Sequence, residues 1–182
     1  MNSPSANLLV CVSEQVACIK VEGRANFTSS VDFKTFVSSL REKGYSRFVV
    51  ELSDCALMDS TFLGMMAGIG LNLAKAKPGN HEPGVVLLNP KPRITELLEN
   101  LGIIHLFKIA QSTEPLKDNF DSLQTGETSR LDISRTCLEA HQTLMAVNPE
   151  NIPKFKDVTR FLAEDLKKLE MAQTTESSHQ GG

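Results

Sequence analysis

Charge of one sign is what this sequence most plainly lacks. Its 19 Lys and Arg nearly balance 22 Asp and Glu, leaving a formal net charge of −3. A dedicated nucleic-acid binder needs a basic surface to neutralise phosphates, so that class is set aside. No apolar run approaches the ~20 residues that cross a bilayer. The first residues, Met1-Asn2-Ser3-Pro4-Ser5, have neither the basic nor the apolar region of a secretion signal. Secretion and membrane insertion are therefore not expected, and a cytoplasmic location is. The cysteines are few and scattered: Cys11, Cys18, Cys55 and Cys137 show no C-x-x-C spacing. Core thiols are the plain reading, although Cys11 and Cys18 fall in two runs that would pair and make them neighbours. His81, His105, His141 and His179 lie far apart, with no second ligand at metal spacing, so neither a metal nor a cofactor is expected. Walker-type, G-x-G-x-x-G and G-x-S-x-G patterns are all missing.

What is present reads as an α/β domain with an appendage. The 182 residues are enough to bury a core without disulfides. Residues 8–12 and 16–21 are β-prone runs separated by Ser13-Glu14-Gln15, which predicts a hairpin, and Gly23 permits a sharp turn after it. Thr28 offers a helix N-cap, Val31, Phe33, Phe36, Val37 and Leu40 recur at near-helical spacing, and Gly44 ends the helix. Residues 48–52 read as a strand, 53–59 as a loop, and Phe62 to about Ala76 as a second helix, apolar on most of its surface and hence buried on several sides. Gly64 and Gly68 share one face of it and allow another element to approach closely. Val85-Val86-Leu87-Leu88 reads as a strand covered on both faces. A third helix stripe follows at Ile94, Leu97, Leu98 and Leu101, stopped by Gly102, and then a short edge strand at Phe107-Lys108-Ile109. Strands alternating with helices imply a mainly parallel sheet, opened by an antiparallel hairpin, with its functional loops on one edge.

This α/β unit is expected to occupy residues 1–110. Residues 111–130 are polar and read as a linker. Residues 131–170 carry two helical stripes, one through Leu138, His141, Leu144 and Met145, the other through Phe155, Val158, Leu162, Leu166 and Leu169. They predict a helical hairpin that packs back on the domain, docks a second protein or self-associates. The polar residues 171–182 read as a disordered tail.

One stretch on the expected functional edge carries chemistry: Met58-Asp59-Ser60-Thr61-Phe62-Leu63-Gly64. Asp, Ser and Thr in succession can cap a helix. The same helix N-terminus favours anions, and a phosphoryl group on a serine there would add about −1.5 to −2 charges and three acceptor oxygens. An enzyme using Ser60 as nucleophile would need a base in reach. No histidine is near in sequence, so only His81 or His105, brought close by folding, is considered for that role.

The stretch resembles the signature of the STAS domain family, the anti-anti-sigma factors or anti-sigma factor antagonists, whose pattern is Asp-Ser-Ser/Thr-Gly-Leu-Gly. The resemblance extends to Gly23-Arg24-Ala25-Asn26 before the first helix, to Val85 through Pro90, and to Leu97 through Phe107. It implies a non-enzymatic protein-binding module acting in signal transduction and transcription regulation by partner switching. It makes Ser60 the phosphorylation site, with Asp59 beside it needed for recognition by the partner or for phosphorylation. The implied partners are an anti-sigma factor that is also a serine kinase, and a phosphatase that resets the site. Thr61, Phe62, Gly64 and Met65, with Arg24 and Asn26 in the neighbouring loop, would contact the partner. Lys91 and Arg93 lie in a further loop, and Asp54 is expected to shape its own. Phe62 departs from the family's glycine, as either an interface anchor or a core plug. A constitutive scaffold subunit, with the fold but without phosphorylation, is the alternative.

Overall fold

A computed structural model describes residues 4–79, 81–116, 119–124 and 126–179. Its N-terminal part is a mixed sheet. β1 (Asn7–Val12) and β2 (Ala17–Ala25) form the antiparallel hairpin, with Cys11 opposite Cys18. α1 (Phe27–Glu42), β3 (Phe48–Glu51), β4 (Cys55–Met58), α2 (Ser60–Ala76), β5 (Val85–Leu88), α3 (Pro92–Asn100) and β6 (Lys108–Ala110) follow. The strand order is β6-β5-β3-β2-β1, continued by β7 (Asp121–Ser122) on the far edge. β2, β3, β5 and β6 run parallel, as the alternation of elements implies.

The structure departs from expectation at several short segments. Gly23 does not end its strand. It takes φ +90° at a register shift, and β2 continues to Ala25 while exchanging β3 for β4 as its neighbour. β4 lies in the segment expected to be loop. The first helix is capped by Asn26 rather than Thr28: the Asn26 side chain accepts from the Thr28 and Ser29 amides, and Ser29 Oγ accepts from the Asn26 amide. β5 buries Val85 and Leu87 but leaves Val86 and Leu88 half-buried, so one face of the sheet is covered more fully than the other.

The main core lies between the well-covered face and α1 and α2. Phe33, Val37, Phe48, Val50, Phe62 and Met66 are all nearly inaccessible there. α3 adds Ile94 and Leu98 to the same buried cluster.

The C-terminal part is α4 (Arg130–Val147) and α5 (Ile152–His179), joined by a short 3-10 turn, Pro149–Asn151. The hairpin folds back, and α4 rests on α2 and α1. Its buried residues are Ser134, Thr136, Cys137, Ala140, His141 and Leu144, whereas Leu138 and Met145 of the expected stripe are half-buried. Asn151, fully buried, fixes the turn: its amide donates to the carbonyls of Leu101 and Leu144 at 2.9 Å each. The segment expected as a linker contributes β7, which pairs with β1 at Leu9 and Val10. α5 continues to His179, past the expected helix end at 170. Residues 1–3, the loop residue 80, residues 117, 118 and 125 of the expected linker and residues 180–182 of the expected tail lie outside the described residues. No helix among the described residues is long and apolar enough to cross a membrane.

Candidate functional site

The site is built where β4 turns into α2. Asp59 is the N-cap of α2 and joins two helices. Its Oδ1 accepts from the Phe62 amide and its Oδ2 from the Phe27 amide, both at 2.8 Å. One carboxylate thus serves the first turns of α1 and α2, where free N–H groups and helix dipoles favour negative charge. Burial nevertheless dominates and pushes the Asp59 carboxyl above the ordinary 3.8, against the two amide bonds that pull it down. The sequence reading gave Asp59 a recognition role, and the structure places it in this double cap.

Ser60 opens α2 and is half-buried. Its Oγ lies 2.9 Å from His141 Nε2 of α4. The other ring nitrogen, Nδ1, lies 2.7 Å from the Cys137 carbonyl. A carbonyl only accepts, so Nδ1 carries a proton; in the neutral ring Nε2 then accepts from the Ser60 hydroxyl. His141 is buried and packs against Phe155 of α5, with ring centroids 5.0 Å apart. The histidine beside Ser60 is therefore His141, not His81 or His105, which are exposed.

Around this bond the helices are in close contact. Thr61 Oγ1 donates to Cys137 Sγ at 3.6 Å, and burial pushes the Cys137 thiol up. Gly64 meets the Ala140 backbone: a Cβ at that position would sit 2.7 Å from the Ala140 carbonyl carbon and 2.9 Å from its Cβ. Gly68 faces Thr143 at ordinary van der Waals distance. Lys34 of α1 forms an ion pair with Glu139 of α4.

The expected contact residues thus divide into two groups. Thr61, Phe62, Gly64 and Met65 are buried beneath α4 and α1. Phe62 is a core plug, fully buried with its ring edge-on to Phe33 at 5.1 Å. Asn26 caps α1 and also accepts from Ser5 Oγ, while Arg24, expected in a loop, is exposed near the end of β2, paired with Leu57 of β4. Asp54 pairs with Lys20 at 2.8 Å, which lowers the carboxyl and raises the ammonium. Lys91 and Arg93 are exposed at the start of α3. Sequence reasoning missed two residues of the site. His141 was placed on a helix face without a facing partner. Phe27, the first residue of α1, leaves 46% of its surface exposed beside Asp59.

A Ser–His pair invites comparison with nucleophilic catalysis. Here the donors that would stabilise an oxyanion are committed elsewhere, because the Phe62 amide serves Asp59 Oδ1 and the Leu63 amide serves the Asp59 carbonyl. The Ser60 hydroxyl is held against α4 at a helix N-terminus, where an added anion would be favoured by the helix dipole.

Comparison with solved structures returns low-identity likenesses to part of the chain. One is the anti-sigma factor antagonist SpoIIAA in its unphosphorylated form, at 17% identity and TM-score 0.46, covering 60% of this chain and 90% of that one. Another is the Bacillus cell fate determinant SpoIIAA in the phosphorylated form, at 20% identity and TM-score 0.47, covering 60% and 93%. A Thermotoga maritima protein matches at 20% identity and TM-score 0.49, covering 57% and 86%. No curated protein matches the sequence. The STAS domain model, in contrast, matches residues 7–115, more than half of the chain, and spans every element from β1 to β6. The chain belongs to the STAS domain family.

Proposed function

We propose that this protein is a cytoplasmic binding module of the anti-sigma factor antagonist type, switched by phosphorylation of Ser60. It acts by exchanging partners rather than by catalysis. The partner class is an anti-sigma factor that is also a serine kinase, with a phosphatase to reset the site. In the modifying step the Ser60 Oγ–P bond forms as the bridging P–O bond to the γ-phosphorus of ATP breaks. ADP leaves, and the hydroxyl proton passes to a base.

The observation that carries this reading is the position of Ser60. It is the first residue of α2, half-buried, and its hydroxyl is engaged by the His141 side chain. A phosphoryl group there alters the surface at the α2 N-terminus while the core anchors below, Phe62 and Leu63, stay in place. An unpaired charge driven into a desolvated contact costs several kcal/mol, and about 1.4 kcal/mol is already tenfold in affinity.

The test compares Ser60→Ala and Ser60→Asp with the wild type in partner capture, alongside intact-mass measurement of protein from its own cells. The alanine variant should bind without taking phosphate, and the aspartate variant should bind at least about tenfold more weakly. Equal binding by all three, with no added phosphate in the cellular protein, sinks the reading. It would favour a constitutive scaffold subunit, which the existing cover of α4 over α2 also supports.

A further inference from the structure

The inner part of the STAS motif, Thr61 and Gly64, is already covered by a helix of the same chain, while Ser60 stays half-buried at the edge of that cover. We propose that the α4–α5 hairpin is a resident cover of the α1–α2 face, held at its edge by the Ser60–His141 bond, and that a phosphoryl group on Ser60 evicts it. This rests on Ser60 being the modified residue.

Space and charge both point to eviction. Only 2.9 Å separates Ser60 Oγ from His141 Nε2, too little for a phosphorus and its three outer oxygens. The imidazole cannot easily step aside. Its Nδ1 is tied to the Cys137 carbonyl, one turn back on α4, and its ring is backed by Phe155 of α5. With Nδ1 bound to the Cys137 carbonyl, a neutral ring would turn a lone pair, not a donor, toward the phosphoryl oxygens. Asp59, next to Ser60, adds further negative charge at the same contact, and the nearby Lys34 is already neutralised by Glu139. Moving His141 therefore means moving α4.

The uncovered face is shaped for a helix. Gly64 admits the backbone of a crossing helix at a residue as small as Ala140, and Gly68 and Thr61 continue the same strip. A partner that takes the place of α4 is accordingly one that presents a helix with a small residue at the crossing point; it binds the phosphorylated chain and is distinct from the partner that docks on the unmodified Ser60 edge.

The test uses the full chain with phosphoserine installed at position 60 during synthesis, read by hydrogen exchange with mass spectrometry against the unmodified chain. Exchange over Arg130–Val147 should accelerate about tenfold or more, while β2, β3 and β5 keep their protection. Unchanged or slower exchange in α4 overturns the proposal; slower exchange would mean that His141 takes up a proton and clamps the phosphoryl group. Faster exchange throughout the sheet overturns it as well. A second arm uses Thr61→Cys, whose thiol would face Cys137. After oxidation the cross-link should hold α4 down and cancel the effect of phosphoserine, and reductant should restore it. Thr61→Cys combined with Cys137→Ser should show no such lock. Failure of the cross-link to form would show that α4 does not rest on Thr61, and the cover would be refuted. Because the phosphoryl group is installed without a kinase, failure here leaves the proposed function standing. Absence of phosphate from the cellular protein removes that reading and, with it, the trigger for eviction, whatever α4 does in the chain carrying installed phosphoserine.

Discussion

Gly64→Ala isolates the contact between the two parts of the chain. The added methyl would sit 2.7 and 2.9 Å from the Ala140 carbonyl carbon and Cβ, and closer still to its oxygen. All three atoms are fixed by the backbone, with no rotamer to give, so α4 must back away from α2. Overpacking of this kind costs about 1–3 kcal/mol. Replacing a helical glycine by alanine returns roughly 1 kcal/mol of propensity. The two terms belong to different equilibria. The propensity gain stays in α2 whether or not α4 is docked, so it raises global stability without restoring docking. The clash exists only while α4 is docked. Opening of the hairpin should therefore increase by about 5- to 150-fold, at 1.4 kcal/mol per tenfold, while global stability changes by roughly −2 to 0 kcal/mol. Hydrogen exchange resolved by segment separates the two: α4 should lose protection and the β3 and β5 amides should lose little. A variant more stable than wild type by about 1 kcal/mol, with α4 fully protected, would refute the packing argument.

Three further outcomes follow from the same geometry. Phe62→Ala removes a fully buried ring that meets Phe33 edge-on, and should cost about 3–5 kcal/mol, seen as a lower urea midpoint with unchanged m. Asn151→Ala removes the amide donor from the Leu101 carbonyl and leaves Leu144 only its bond from the Asn148 amide, and should destabilise by about 1–3 kcal/mol; a neutral effect would mean that water replaces the amide. Asp59 is held above 3.8 in the folded chain, so its protonated form binds the native state better. Its contribution is fully present below the unfolded value of 3.8 and is lost as pH rises through the folded value. Subtracting the stability–pH curve of Asp59→Asn from that of wild type should leave a difference that falls with rising pH across this window, and a flat difference would refute it.

The sequence located the chemistry better than its surroundings. The strand Val85–Leu88 and the serine at the head of α2 are legible because apolar runs and capping residues act over a few positions. β4 was hidden because four residues between two turns carry no period, and its pairing depends on the register shift at Gly23. His141 is 81 positions from Ser60, and helical spacing reports a face but not what meets it. The end of α5 was misjudged on composition. Thr174, Thr175, Ser177 and Ser178 look like a solvated tail, yet each hydroxyl donates to the carbonyl four residues earlier, within the helix.

The short pairing of β7 with β1 also sets the terms on which any outside helix must compete. It anchors the chain at Ser122, and the Leu123 amide adds a bond to the Leu8 carbonyl at 2.8 Å. Only residues 124–129 then separate this anchor from α4, a leash of at most roughly 20 Å. A leash that short holds α4 at an effective concentration in the millimolar range over α2. A partner present at about 1 μM must therefore bind roughly a thousandfold more tightly than α4 itself to take half of the sites. Lengthening the leash would lower that threshold without altering a single contact residue.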